Sequence, residues 1–201
     1  MGSWKGSGTV IIITTFALTL LANADIVLAK YFFPIEIAAQ YSALLVISRV
    51  IGYGSFIIVP IFFPAMAQSA QEQEACSMLW KGLKITTVIA IGLITLFALF
   101  PEQIVSILIG DKYQAISPYI VYGGIVSGLH TIAQLCIYYF ISINAKRFLP
   151  PLIIIIAMQI VAMYLFHQSI TDFIAITLCS SAAIVASLLL LSLHTHKRYA
   201  R

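Results

Sequence analysis

Residues 21–41 read LANADIVLAKYFFPIEIAAQY, and the meaning given to Asp25 and Lys30 in this stretch decides what the chain is. Nineteen uncharged residues, Gly6 to Ala24, run directly into Asp25, and Lys30 follows five positions later. Asp25 marks the end of a membrane span, the first residue after a cleaved signal peptide, or a charge kept inside the bilayer for a purpose.

Composition sets the class. With 61% hydrophobic and 9% charged residues among 201, and a mean hydropathy of +1.03, the chain has too little polar surface to coat a soluble globule. The charges cut it into six apolar blocks, each near the roughly 20 residues that cross about 30 Å of hydrocarbon as a helix. Helices are predicted near 8–28, 41–66, 83–100, 115–142, 149–167 and 172–194. Strand-length alternation is absent and the apolar runs are long, which argues against a transmembrane barrel. The expected fold is all-α: one polytopic transmembrane bundle over residues 1–201, with six spans.

Orientation follows from Lys and Arg, which are retained on the cytoplasmic side of short connections. Lys5 precedes the first block, Lys81 and Lys84 lie between the second and third, Lys146 and Arg147 between the fourth and fifth, and Lys197, Arg198 and Arg201 close the chain. The alternate connections hold only Lys30 and Lys112, each accompanied by acids. Both termini are therefore expected in the cytoplasm, with the bundle in the cytoplasmic membrane. The same rule explains the net charge of +4, so no nucleic-acid partner is called for. A competing reading takes Lys5, the apolar run from Thr9 to Leu21 and Ala22-Asn23-Ala24 as a signal peptide cleaved after Ala24, leaving five helices.

Catalysis is not advertised. Cys76, Cys136 and Cys179 are odd in number and far apart, giving neither a disulfide framework nor metal-ligand spacing. Phosphate-binding glycine loops, nucleophile elbows and zinc-protease helices are missing, and no cofactor is implied. Gly2 opens like a myristoylation signal, but residue 6 is Gly rather than Ser or Thr.

The polar residues inside the spans are the candidates for function. Arg49 lies about eight positions into the second block, roughly 12 Å along its axis at about 1.5 Å per residue. An Arg at that depth costs about 2.5–3.5 kcal/mol on insertion scales and must face protein or water. Ser42, Gly52, Tyr53 and Pro60 share its side of the helix. Arg49 either pairs with Asp25 to fix the first helix on the second, or places a cation in a central cavity. In the fourth block Gly123, Ser127, His130, Thr131, Gln134, Tyr138 and Ser142 recur at spacings of three and four, within roughly a third of the circumference. Small and hydroxyl residues of this kind make helix–helix contacts. His130 and Gln134 are bulkier and suit a hydrated wall, and a proton relay through His130 is the narrower alternative. Pro60 and Pro64 kink or end the second helix.

The connections have their own character. AQSAQEQEACSMLWKGLK is amphipathic and is expected in the cytoplasmic interface before turning inward. PEQIVSILIGDKY reads as a short surface helix with Pro101 in its first turn, Glu102 at its positive end and Gly110 as its cap. The tail HTHKRYAR is an interfacial anchor rather than a metal site.

NADIVLAKYFFPIEIAAQYSALLVISRVI resembles a segment of oligosaccharide flippases, the polysaccharide-exporter branch of the multidrug/oligosaccharidyl-lipid/polysaccharide superfamily. There an Asn-x-Asp, a Lys, a Pro-containing loop and a Tyr-Ser before an Arg-bearing helix recur in this order. FFPAMAQ resembles that family's Phe-Pro helix ending, and FPEQIVSILIGDKY its outer hairpin. The resemblance runs from Asn23 to Pro150. Members carry two bundles related by an axis normal to the membrane, so it implies that this chain corresponds to the second bundle. It further implies a substrate, a polyprenyl-diphosphate-linked oligosaccharide whose head enters a cavity between bundles while its lipid tail stays in the bilayer. Arg49 would meet the diphosphate, with Asp25 and Tyr53 beside it, and His130, Gln134 and Tyr138 would bind sugar. The other bundle would come from a homodimer or from a separate amino-terminal half. The alternatives are a multidrug exporter of the same superfamily, a non-transporting membrane fragment or accessory subunit, and a membrane enzyme acting on a polyprenyl phosphate. The loops lack the partnered acids that the enzyme reading needs.

Overall fold

The computed structural model describes residues 4–69 and 72–199 of the chain, and among these the regular structure is all helical. In chain order the elements are α1 (Trp4–Phe32), α2 (Ile35–Phe56), α3 (Val59–Gln68), α4 (Glu72–Leu99), α5 (Pro101–Ile109), a 3-10 stretch (Asp111–Tyr119), α6 (Ile120–Ser142), α7 (Leu149–Leu165) and α8 (Ile170–Tyr199). Five stretches, Gly8–Phe32, Ile35–Phe56, Gln73–Leu99, Asp111–Ser142 and Ile170–Leu193, are long and apolar enough to cross a bilayer. Val59–Gln68 and Leu149–Leu165 are shorter apolar helices. Segments of this length and composition make the chain a membrane protein.

The centre of the bundle is α6, which packs most extensively on α4, α2 and α8. Close approach to α2 depends on glycine. A Cβ at Gly123 would fall on the Ser48 hydroxyl, and one at Gly124 would lie 2.6 Å from Ile51 Cδ1. Small residues at such a seam let two backbones approach in a medium where burial of apolar surface supplies no driving force. The hydroxyls inside it are satisfied locally: Ser48 donates to Leu44 O at 2.7 Å and Ser55 to Ile51 O at 2.9 Å. At the end of the bundle where α1 finishes, Tyr41, Leu44, Ile47 and Ile51 of α2 pack with Ile120 and Phe173. Towards the opposite end, Leu79, Leu135, Cys136, Tyr139, Phe140 and Phe148 form a second core.

Several sequence expectations change here. The first helix continues to Phe32, so Asp25 sits inside it, 2% exposed, rather than at its end. The candidate cleavage point after Ala24 falls within this unbroken helix. The second block is two helices. Pro60 has no amide to offer the Phe56 carbonyl; α2 stops at Phe56, and the amides of Ile61 and Phe62 both turn to Ile58 O, at 3.2 and 3.1 Å. Pro64 is tolerated inside α3.

The amphipathic segment before the third block does not turn inward from an interface. From Glu72 onward it is the start of α4, a single helix that runs to Leu99. Its apolar stripe, Ala75, Cys76, Leu79 and Leu83, is buried in the protein core beside Val59, Met66 and Leu135. Nothing between Met78 and Lys84 breaks a helix except Gly82, and a Cβ there would press on Leu135 and Phe62 at 3.1 and 3.3 Å. The short helix α5 forms as expected: Pro101 opens it, and Gly110, at φ +91, returns its amide to Val105 O and Ser106 O, each 3.1 Å away. The side chains of the tail HTHKRYAR lie outside the described residues.

Candidate functional site

A cavity of about 380 Å³ lies between α1, α2 and α6. From α1 it is lined by Ala22, Asn23 and Asp25, from α2 by Arg49, Gly52 and Tyr53, and from α6 by Ser127, His130, Thr131, Gln134 and Tyr138. The six residues singled out in the sequence, Arg49, Asp25, His130, Gln134, Tyr138 and Tyr53, thus share one cavity. Helical phase explains the coincidence: Arg49, Gly52 and Tyr53 recur at three and four along α2, as do Ser127, His130, Thr131, Gln134 and Tyr138 along α6.

Arg49 is half-buried, fourteen residues into α2 (49 minus 35) and so about 21 Å from its start at about 1.5 Å per residue. One terminal nitrogen, Nη2, donates to the Ala22 carbonyl and to Asn23 Oδ1, each at 2.9 Å. Its Nε and Nη1 make no hydrogen bond among the described residues, so the free edge of the guanidinium is available to the cavity. Since α1 takes up only one nitrogen, the fork is anchored without being used up.

Asp25 is engaged elsewhere. Oδ2 accepts the Tyr41 hydroxyl at 3.0 Å, inside the protein, and Oδ1 accepts the Ile26 amide at 2.8 Å. Among the described residues no direct ion pair joins it to Arg49. The expected salt bridge is corrected on geometric grounds: the carboxylate is turned to α2 at Tyr41, while the guanidinium reaches α1 one turn earlier, at Ala22 and Asn23. Each charge is held by neutral dipoles, a cheaper arrangement inside a bundle than an ion left without any partner.

On α6 the polar stripe splits. Gly123 lies against α2, and the Thr131 hydroxyl reaches both Ser127 O at 3.1 Å and Gly52 O at 3.3 Å. His130 Nε2 meets Ser181 Oγ of α8 at 2.9 Å. Ser127, Gln134, Tyr138 and Tyr53 line the cavity without a side-chain hydrogen bond among the described residues. Tyr138 is steadied instead by Phe63 of α3, ring centroids 5.2 Å apart. Among the described residues no group of His, Cys, Asp or Glu is placed to hold a metal ion.

Three residues that organise the site carried no assigned role in the sequence reading. Asn23, quoted only as part of a motif, holds Arg49; Tyr41, at the start of a helix, holds Asp25; Ser181 holds His130. The Ser180-Ser181 pair in an otherwise apolar block was the available signal for the last of these.

Fold and site together define a helical membrane protein with a cavity between its spans that sets Arg49 and a band of polar side chains among apolar ones such as Leu18, Leu45, Phe56 and Val126. No protein-family model matches the chain, and no curated protein or solved structure matches it, so its function is argued from the cavity itself.

Proposed function

We propose that the chain translocates a polyprenyl-diphosphate-linked oligosaccharide across the cytoplasmic membrane, as one bundle of a two-bundle transporter working by alternating access. Arg49 carries the reading: a guanidinium at mid-helix depth, clamped through one nitrogen and free at the other two, in a cavity where Ser127, Gln134, Tyr138 and Tyr53 also keep their side chains unbonded among the described residues. A planar fork with free donors suits the oxygens of a diphosphate. Gln134, Tyr138, Ser127 and His130 on the facing wall suit hydroxyl-rich sugar. In this reading α7, seventeen residues long, joins the five longer stretches to give six spans with both termini in the cytoplasm. The other bundle is supplied by another copy or by a separate amino-terminal half. A drug exporter for organic cations is supported less well, because the cavity's carboxylate, Asp25, is buried and already accepts from Tyr41 and Ile26.

In cells whose surface glycan depends on this protein, Arg49→Ala is expected to abolish export while the folded protein still accumulates. Arg49→Lys, which keeps charge and loses the fork, is expected to restore it in part. Export by an Asp25→Asn/Arg49→Gln double variant would end the reading. The topology has a separate check: a single cysteine at Glu102 is expected to react with a membrane-impermeant thiol reagent in intact cells and one at Lys146 to resist it, and the reverse result would invert the bundle.

A further inference from the structure

We infer that Ser181 fixes His130 as a hydrogen-bond acceptor facing the cavity, and that this acceptor selects ligands presenting a hydroxyl donor beside their anionic group. The ligand half of this inference rests on the headgroup reading above. The argument begins with one hydrogen atom. Ser181 Oγ lies 2.6 Å from the Thr177 carbonyl and 2.9 Å from His130 Nε2. A serine hydroxyl has a single hydrogen to give, and a carbonyl oxygen can only accept. The Ser181 hydrogen therefore goes to Thr177 O, and the bond to the imidazole is made by an Nε2–H donating to Ser181 Oγ. A neutral imidazole protonated at Nε2 keeps its lone pair on Nδ1.

That lone pair has nothing within the chain to receive. Nδ1 has no partner among the described residues, nor is it one of the polar atoms sealed off without a bond. His130 lines the cavity together with Arg49. The cavity is thereby divided by hydrogen-bonding sense. On the α2 wall Arg49 can only donate, and on the α6 wall His130 can only accept, while the hydroxyls of Tyr53, Ser127 and Tyr138 and the amide of Gln134 can do either.

Such a division distinguishes two forms of one lipid. A bare prenyl diphosphate brings only acceptor oxygens, which satisfy Arg49 and leave His130 Nδ1 unmet or facing another lone pair. A prenyl diphosphate carrying a sugar brings hydroxyls, one of which can donate to Nδ1. Leaving a desolvated acceptor unpaired is what makes a site built for a hydroxyl reject the analogue lacking one. The loaded carrier would be accepted and the empty carrier refused, by Ser181 acting as a positioning residue through His130.

The test uses the full chain in lipid nanodiscs. Nitrogen-15 spectra of labelled histidine, with the His130 signals assigned by their loss in His130→Asn, are expected to show Nδ1 unprotonated and Nε2 protonated. In Ser181→Ala the single tautomer is expected to be lost, and in Ser181→Thr to return. Farnesyl-diphospho-N-acetylglucosamine is expected to bind roughly tenfold tighter than farnesyl diphosphate, the scale of one buried hydrogen bond. Ser181→Ala should reduce that preference to about twofold or less, the margin left when one such bond is gone. A protonated Nδ1 in the unmodified protein, or an undiminished preference in Ser181→Ala, would overturn the inference. If neither probe binds while Nδ1 is unprotonated, the headgroup reading falls and takes the ligand half with it, whereas the acceptor assignment is upheld by the spectra.

Discussion

The seam between α2 and α6 and the cavity beside it are built from the same two helices, yet their polar groups are spent in different ways. In the seam, Ser48 and Ser55 return their hydrogens to carbonyls of their own helix, and Gly123 and Gly124 remove side chains altogether. About one to four turns further along α6, Ser127, Gln134 and Tyr138 keep theirs in hand, and Arg49 leaves two of its three nitrogens unused. A polar residue in a membrane span is thus no sign of function by itself. The useful question is whether its hydrogen-bonding capacity has been consumed, since a consumed group is architecture and an unconsumed one awaits a ligand or water.

The seam should break first. Gly123→Val sets a branched side chain on the Ser48 hydroxyl and is expected to cost about 3 kcal/mol or to prevent folding, measured by unfolding in mixed micelles. Normal stability would mean that the helices can part there without penalty.

Next in size are the charges on the border between seam and cavity. Tyr41→Phe deprives the buried Asp25 of its hydroxyl donor and is expected to cost about 1.5–3 kcal/mol, largely recovered when Asp25→Asn is added. The Asp25→Asn/Arg49→Gln pair, by contrast, should show a smaller coupling than Tyr41 with Asp25, because Asp25 and Arg49 share no hydrogen bond and interact only through space. Strong coupling between Asp25 and Arg49 would restore the ion pair that the geometry rejects.

The smallest effect on stability is expected on the cavity wall. Gln134→Leu removes an amide without a partner in the protein and should shift unfolding by no more than about 0.5 kcal/mol while weakening headgroup binding. A large loss of stability would show that Gln134 belongs with the seam after all.

Much of the fold was legible because apolar length and helical phase are local properties. The blocks, the break near Pro60, the Pro101–Gly110 helix and the polar stripes of α2 and α6 were all within reach of counting. So was the convergence of Arg49, Tyr53, His130, Gln134 and Tyr138 on one cavity, since each stripe needs a place away from lipid. Partnership across helices was not legible. Whether Asp25 meets Arg49 or Tyr41 depends on how α1 is rotated about its axis, and rotation is set by packing with the whole bundle. The continuity of α4 was hidden for a related reason: an amphipathic stripe looks the same whether it lies on a membrane surface or against Val59, Met66 and Leu135.

The sequence separation of these partners has a consequence for how the protein is made. Asp25 finds Tyr41 sixteen residues later, and Arg49 finds Asn23 twenty-six residues earlier, so each of these two charges has a partner within the same pair of helices. That hairpin can leave the insertion machinery with both charges already anchored, Arg49 through one of its three nitrogens. His130 is different: its partner Ser181 lies fifty-one residues downstream, on the last helix. The cavity's acceptor is therefore set only when synthesis is nearly complete, and a nascent chain stalled before α8 would hold its cation in place while lacking the means to tell one ligand from another.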